Sequence, residues 1–294
     1  MERGYKKMDK QKRIAAIHDI SCVGRCSLTV ALPILSAAGF DTSVLPTAIL
    51  STHTGGFEGF TYRDLTTDIK PISNHWQSLN IKFDALYSGF LGSFEQIDLV
   101  AELFDTFRSK ETLVMVDPVM ADNGVLYSVY SPEMAKGMSK LCAKADIIVP
   151  NLTEAAFLLE EEYVGENYSQ EYIESLLKRL SVLGAKKIVL TGISFKRGTL
   201  GAASLDNGTG KISYAFNASV DGHFHGTGDV FSSTLLAGLL NNFSLEEALQ
   251  IAVNYTLKCI QLTEKSGQEK RFGVCFERAL PYLIQQLGLL TEER

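Results

Sequence analysis

The chain has 294 residues, 46% hydrophobic and 21% charged, an ordinary globular composition long enough to bury a large core without disulfides or a structural metal. Its 28 Lys and Arg against 34 Asp and Glu leave a formal charge of −6, which argues against the concentrated basic face of a nucleic-acid binder. No apolar run reaches the roughly 18 residues of a membrane span, and none follows the basic start as a signal peptide would, because His18 and Asp19 interrupt it at once.

Residues 1–12 read as a solvated, disordered tail, and residues 13–294 as one domain. Short apolar runs at 13–19, 43–50, 84–88, 112–117, 146–150 and 186–191 predict strands. Most lack in/out alternation, as expected for a parallel sheet covered on both faces. Between them, 28–38, 95–109, 132–143 and 170–183 carry apolar residues at helical spacing, with Gly39 and Gly184 placed as C-caps. The lone Trp76 reads as helix packing. This βα repeat predicts an α/β fold with a central, mostly parallel sheet flanked by helices on both faces.

Beyond Thr191 the pattern changes. Runs at 200–205 and 212–216 flank Asp206-Asn207-Gly208-Thr209-Gly210 and predict a β-hairpin, followed by helices at 227–241, 245–261 and 274–287. The five cysteines are odd in number, without Cys-x-x-Cys spacing, and read as reduced thiols of a cytoplasmic protein.

Gly226-Thr227-Gly228-Asp229 stands immediately before a strong helical run. Glycines let several N–H groups face one point, and the helix dipole makes that point positive, so an anion can bind there. Asp229 cannot bind an anion itself. A carboxylate in that place suits a base that deprotonates a nucleophile attacking the anion, the arrangement phosphoryl transfer needs. The plain alternative is a loop glycine pair and a carboxylate that offsets the helix dipole. His223 and His225 read as loop residues rather than a metal pair, and Cys22 and Cys26 as packing.

The whole stretch Val220 to Phe231 resembles the C-terminal signature of the ribokinase-like superfamily, and further segments resemble the pyridoxal kinase branch over nearly the whole chain. These are Ile17-His18-Asp19-Ile20-Ser21 with Gly24, Leu45-Pro46-Thr47, Ser51-Thr52-His53-Thr54-Gly55, Tyr87-Ser88-Gly89-Phe90-Leu91-Gly92-Ser93, Asp117-Pro118-Val119-Met120 and Pro150-Asn151-Leu152-Thr153-Glu154. The resemblance implies ATP-dependent phosphorylation of the 5′-hydroxyl of a B6 vitamer. It implies Asp229 as base, with Gly226, Thr227 and Gly228 donating to the γ-phosphoryl. Asp19, Thr47, His53 and Phe90 would meet the acceptor. Asp117, Asp122, Tyr127, Asn151, Glu154 and Thr191 would lie on the nucleotide side, Asp117 and Glu154 placing Mg²⁺ partly through water. A monovalent cation and a homodimer belong to the same expectation. Asp19 and Ile20 stand where pyridoxal kinases commonly put Ser then His, and Phe90 where Tyr is usual. The aspartate is closer to hydroxymethylpyrimidine kinases, the alternative reading within enzymes; a non-catalytic B6 or nucleotide binder is the alternative outside them.

Overall fold

The computed structural model describes residues 10–127, 130–165 and 167–290. The chain starts with β1 (Arg13–Ser21), α1 (Leu28–Ala37), β2 (Asp41–Leu50), β3 (Tyr62–Asp64), α2 (Thr66–Ser78), β4 (Ala85–Ser88), α3 (Phe94–Phe107) and β5 (Leu113–Val116). The middle holds a two-stranded ribbon, β6 (Ala121–Asp122) and β7 (Val125–Leu126), then α4 (Pro132–Cys142), β8 (Ile147–Ile148), α5 (Leu152–Leu158) and α6 (Gln170–Ser181). It closes with β9 (Lys187–Ile193), β10 (Thr199–Asp206), β11 (Lys211–Ala218), α7 (Thr227–Leu240), α8 (Leu245–Ser266) and α9 (Leu280–Gln286).

Nine strands form one sheet in the order β11-β10-β9-β8-β5-β4-β1-β2-β3. The run from β9 to β2 is parallel, while β3 pairs antiparallel with β2, β10 with β9 and β11 with β10. Both faces are covered. Ala15 and Ile17 of β1 pack with α2 to α6, whereas Ile14 of the same strand packs with α1 and α7 to α9. Burying both faces explains why the strands do not alternate in polarity. Each fully buried Leu or Ile contributes roughly 1.5–3 kcal/mol. Among the described residues no helix is long and apolar enough to cross a membrane.

The predicted α/β architecture is therefore the observed one, and Gly39 and Gly184 follow α1 and α6 at φ 95° and 121°. Several elements differ from their sequence reading. α2 was not predicted as a full helix because Pro71 interrupts a polar stretch; it is held by buried Ile69 and by Trp76, whose ring meets Phe83 and Phe107 at 5.4 and 6.3 Å. α8 runs on to Ser266 and ends at left-handed Gly267. The helix expected at 274–287 is shorter: a 3₁₀ turn spans Glu277–Ala279, and α9 begins only where Pro281 fits the first turn. Residues 1–9 of the expected tail lie outside the described residues. Gln11 and Lys12 are tied down, by bonds to the carbonyls of Gly39 (3.0 Å) and Leu240.

Candidate active site

The carboxyl ends of the parallel strands open on one cavity of about 780 Å³, and strand order reverses direction beside β1, where α/β sheets bind their ligands. Two groups of residues meet in it.

The first group surrounds the start of α7. Gly226 is its N-cap at φ 76°, and a Cβ there would sit 2.0 Å from the Arg25 carbonyl oxygen, so both backbone and space demand glycine. No side chain caps α7, which leaves its first N–H groups for an anion in the field of the helix dipole. A Cβ on Gly228 would meet nothing within 4 Å; the space over that helix end is open. Asp229 lies in the first turn and accepts a hydrogen bond from the Ser27 backbone. Burial, with Asp117 and Asp19 nearby, pushes its carboxyl up to about 7. That is the range in which a general base works best at neutral pH.

Across the cavity, Asp117 follows β5 and accepts a 2.7 Å bond from the Ser232 hydroxyl, one turn beyond Asp229 on α7. Burial raises Asp117 to about 7. Asn151 and Glu154 form a capping box at the start of α5, with Asn151 N–H to Glu154 at 2.8 Å and Glu154 N–H to Asn151 at 2.9 Å. Met120 N–H also donates to Glu154, at 3.2 Å. Burial, then the Asp117 charge, holds Glu154 well above the usual carboxylate range. Among the described residues no Lys or Arg acts on either carboxylate, and no group of three or more His, Cys, Asp or Glu is placed to hold a metal. Two buried, mutually repelling carboxylates across the cavity from a helix end open to anions fit a hydrated Mg²⁺, which takes few protein oxygens and keeps water.

The second group is made of loops. Asp19, 4% exposed on β1, accepts hydrogen bonds from the hydroxyls of Ser21 and Ser27, while burial raises its carboxyl. Ser27 has φ 54° and ψ −127°, a conformation nearly reserved for glycine; holding it costs about 1–3 kcal/mol. His53 donates from Nε2 to the Arg271 carbonyl at 2.6 Å and accepts at Nδ1 from Gly55 N–H at 3.2 Å. Phe90 meets Tyr130 edge-on at 5.9 Å. Gln96, wholly buried, holds the loop after Phe90: it accepts from Gly92 N–H at 2.8 Å and donates to the Thr47 carbonyl at 2.9 Å.

Asp19, His53, Phe90, Asp117, Asp122, Tyr127, Asn151, Glu154, Thr191 and Gly226 to Asp229 all line the cavity. Asp122 sits on the β6–β7 ribbon and Tyr127 just past it, and Thr191 bridges to Asn151 from the neighbouring strand. One residue expected at the acceptor lies outside the lining. Thr47 is fully buried outside the lining, its hydroxyl 3.4 Å from the Phe90 carbonyl, because β2 turns that side chain into the protein. His53 contributes a ring wall rather than a free hydrogen-bonding group, since both nitrogens are engaged by loops. His223 and His225 meet edge-on at 4.6 Å, and burial lowers His225 to about 4, a neutral loop residue. Sequence reasoning missed Ser27, Ser232 and the α8 residues Val253, Thr256 and Leu257 that also line the cavity. Those of α8 have helical apolar spacing and read as core. Ser232 could have been found as the residue three positions after the base.

The family model for phosphomethylpyrimidine kinase matches residues 35–273. A Bacteroides thetaiotaomicron protein, described as a candidate phosphomethylpyrimidine kinase and crystallised with pyridoxal, is 36% identical; the match covers 97% of this chain and 98% of that one, with a TM-score of 0.90. The pyridoxine/pyridoxal/pyridoxamine kinase of Bordetella avium is 27% identical over 82% of this chain and 81% of its own. The hydroxymethylpyrimidine/phosphomethylpyrimidine kinase of Aquifex aeolicus is 29% identical over 60% and 68%.

Proposed function

The chain belongs to the pyridoxal and phosphomethylpyrimidine kinases of the ribokinase-like superfamily, and within them we propose that it transfers the γ-phosphoryl of ATP to the 5′-hydroxyl of a B6 vitamer: pyridoxal, pyridoxine or pyridoxamine. The observation that carries this reading is Asp229, a base poised near neutrality in the first turn of an uncapped helix, between the acceptor carboxylate Asp19 and the nucleotide-side pair Asp117 and Glu154.

Asp229 takes the proton of the acceptor hydroxyl as its oxygen attacks the γ-phosphorus; the new O–P bond forms, the bond to the β-phosphate oxygen breaks, and ADP leaves. N–H groups of Gly226, Thr227 and Gly228 meet the charge that grows on the transferring group. Asp117 and Glu154 would hold Mg²⁺, which when bound neutralises phosphate charge. Asp122, Tyr127, Asn151 and Thr191 border the nucleotide, while Asp19 and the Phe90 ring select the acceptor. The same reading carries a monovalent-cation requirement, a homodimer and a cytoplasmic address.

A second reading, hydroxymethylpyrimidine as acceptor, is favoured by one feature: acceptor-only carboxylate oxygens at Asp19 suit an amino-pyrimidine edge. Phosphorylation of pyridoxal, pyridoxamine, pyridoxine and hydroxymethylpyrimidine, measured side by side with ATP and Mg²⁺, decides between them. We expect the highest kcat/KM with a B6 vitamer; a tenfold preference for hydroxymethylpyrimidine would establish the second reading instead.

A further inference from the structure

Ser27 stands at the N-cap of α1, where a serine ordinarily accepts a bond from the N–H of its own helix. It does not do so here: its side chain makes no cap bond. Its backbone is twisted to φ 54° and ψ −127°, and an antiparallel bridge pairs it with Ile20, next to Asp19. The residue is 8% exposed and lines the cavity together with Asp19 and Asp229. A non-glycine residue held in such a conformation at a ligand cavity marks a place where the surroundings enforce a geometry for a reason other than stability.

We propose that Ser27 is the positioning residue that couples acceptor selection to catalysis, its hydroxyl orienting the Asp19 carboxylate toward the acceptor ring and its backbone N–H orienting Asp229 toward the acceptor hydroxyl. Ser27 borders both carboxylates at the cavity, its hydroxyl favouring ionised Asp19 and its backbone favouring ionised Asp229. Both interactions leave from one residue, so the spacing of the ring-binding carboxylate on β1 and the base on α7 is tied through a single unit. The twisted backbone is what permits this: an ordinary N-cap would commit the hydroxyl to the first turn of its own helix, and at Ser27 no such bond forms. The inference rests on the proposed phosphoryl transfer, and of its two readouts the kinetic one needs that reaction while the titration does not.

The titratable groups facing Asp19 are Cys26 from the same loop, Tyr62 from β3, Tyr130 from the segment before α4, and Asp229 from α7. None supplies positive charge at neutral pH, so the hydroxyls of Ser27 and Ser21 are what favour ionised Asp19. Removing the Ser27 hydroxyl leaves Asp19 harder to ionise.

Two variants separate hydroxyl from backbone. Ser27→Gly relieves the twist and keeps the N–H; Ser27→Ala keeps the twist and the N–H. Both lose the hydroxyl. We expect each to raise the acceptor KM about tenfold near neutral pH, more as pH falls, with the ATP KM within twofold and kcat within threefold of wild type. In parallel, NMR titration of ¹³C-labelled aspartate carboxyls in the unliganded protein should show the Asp19 midpoint moving up in both variants while Asp229 stays. This second readout needs no substrate, so it stands whichever acceptor the enzyme uses. An unmoved Asp19 midpoint overturns the proposal. So does a wild-type acceptor KM in Ser27→Gly beside a defective Ser27→Ala, which would make Ser27 a backbone element alone.

Discussion

The two ends of the cavity are built from different material. At one end Asn151, Glu154 and Asp229 sit at the starts of α5 and α7, with Asp117 just past β5, and there repeating backbone geometry places N–H groups without any particular side chain. At the acceptor end Asp19, His53 and Phe90 are held by loops that grip one another through Ser27, Gln96 and the carbonyl of Arg271. Helix ends prescribe a reaction, since any phosphoryl donor needs the same cradle. Loops prescribe a substrate, since a few exchanged side chains re-line the pocket without disturbing the cradle. Relatives of this chain are named both for B6 vitamers and for pyrimidines.

The contrast breaks most visibly at Asp229. Asp229→Asn is expected to keep fold and ATP binding while kcat falls roughly 10²–10⁴-fold, the usual range for a general base. With the carboxyl raised to about 7, wild-type kcat should climb as pH rises through that value, and the variant should lose that limb. Turnover within threefold of wild type would remove Asp229 from the role.

Gly228→Val is the next largest, at about 10²-fold in kcat, as for loss of one preorganised donor. The open space over Gly228 admits the branched side chain without a clash, and its restriction of the backbone turns the N–H donors away from the transferring group. ATP affinity should fall less than kcat; equal losses in the two, with unchanged circular dichroism, would mean a plain nucleotide loop.

Asp19→Ser probes the loop end. It should change acceptor ranking by about 1–3 kcal/mol, as for a lost hydrogen bond to a charged group, raising KM for pyridoxamine or hydroxymethylpyrimidine more than for pyridoxal. ATP KM should hold, and a shift in it would show that the two ends are not separable.

The smallest effect is on stability, and it has the opposite sign to the losses above. Asp117 is raised from 3.8 to about 7 by burial, so its contribution favours the folded state below 3.8 and is lost as pH rises through 7. Asp117→Asn should therefore gain thermal stability relative to wild type between pH 5 and pH 8, by about 2–4 °C if 1 kcal/mol is recovered. Thermal melts of the unliganded proteins at both pH values measure it. An equal difference at the two pH values would place no strained carboxylate at the phosphate end.

How much of this could be read in advance follows the same division. Asp229 was legible because its glycines and its helix are contiguous in sequence, and Asp117, Asn151 and Thr191 because strand ends carry ligands in this class of sheet. Thr47 and His53 came from resemblance alone, and the structure moves one beneath the cavity and occupies both nitrogens of the other. Ser27 was invisible: a serine before an apolar helical run reads as a routine cap, and only its φ reveals otherwise. Short or proline-interrupted elements such as α2, α5 and the β6–β7 ribbon lack the length over which periodicity accumulates.

That both ends share one undivided cavity has a consequence for what happens when the second substrate is missing. With nucleotide in place and no acceptor, the position of the acceptor hydroxyl fills with solvent, and a carboxylate able to take a proton from a primary alcohol can take one from water. The enzyme then hydrolyses its own donor. Slow release of inorganic phosphate in the absence of acceptor, falling as acceptor is added, is the signature of this leak, and it favours a working order in which the acceptor arrives first.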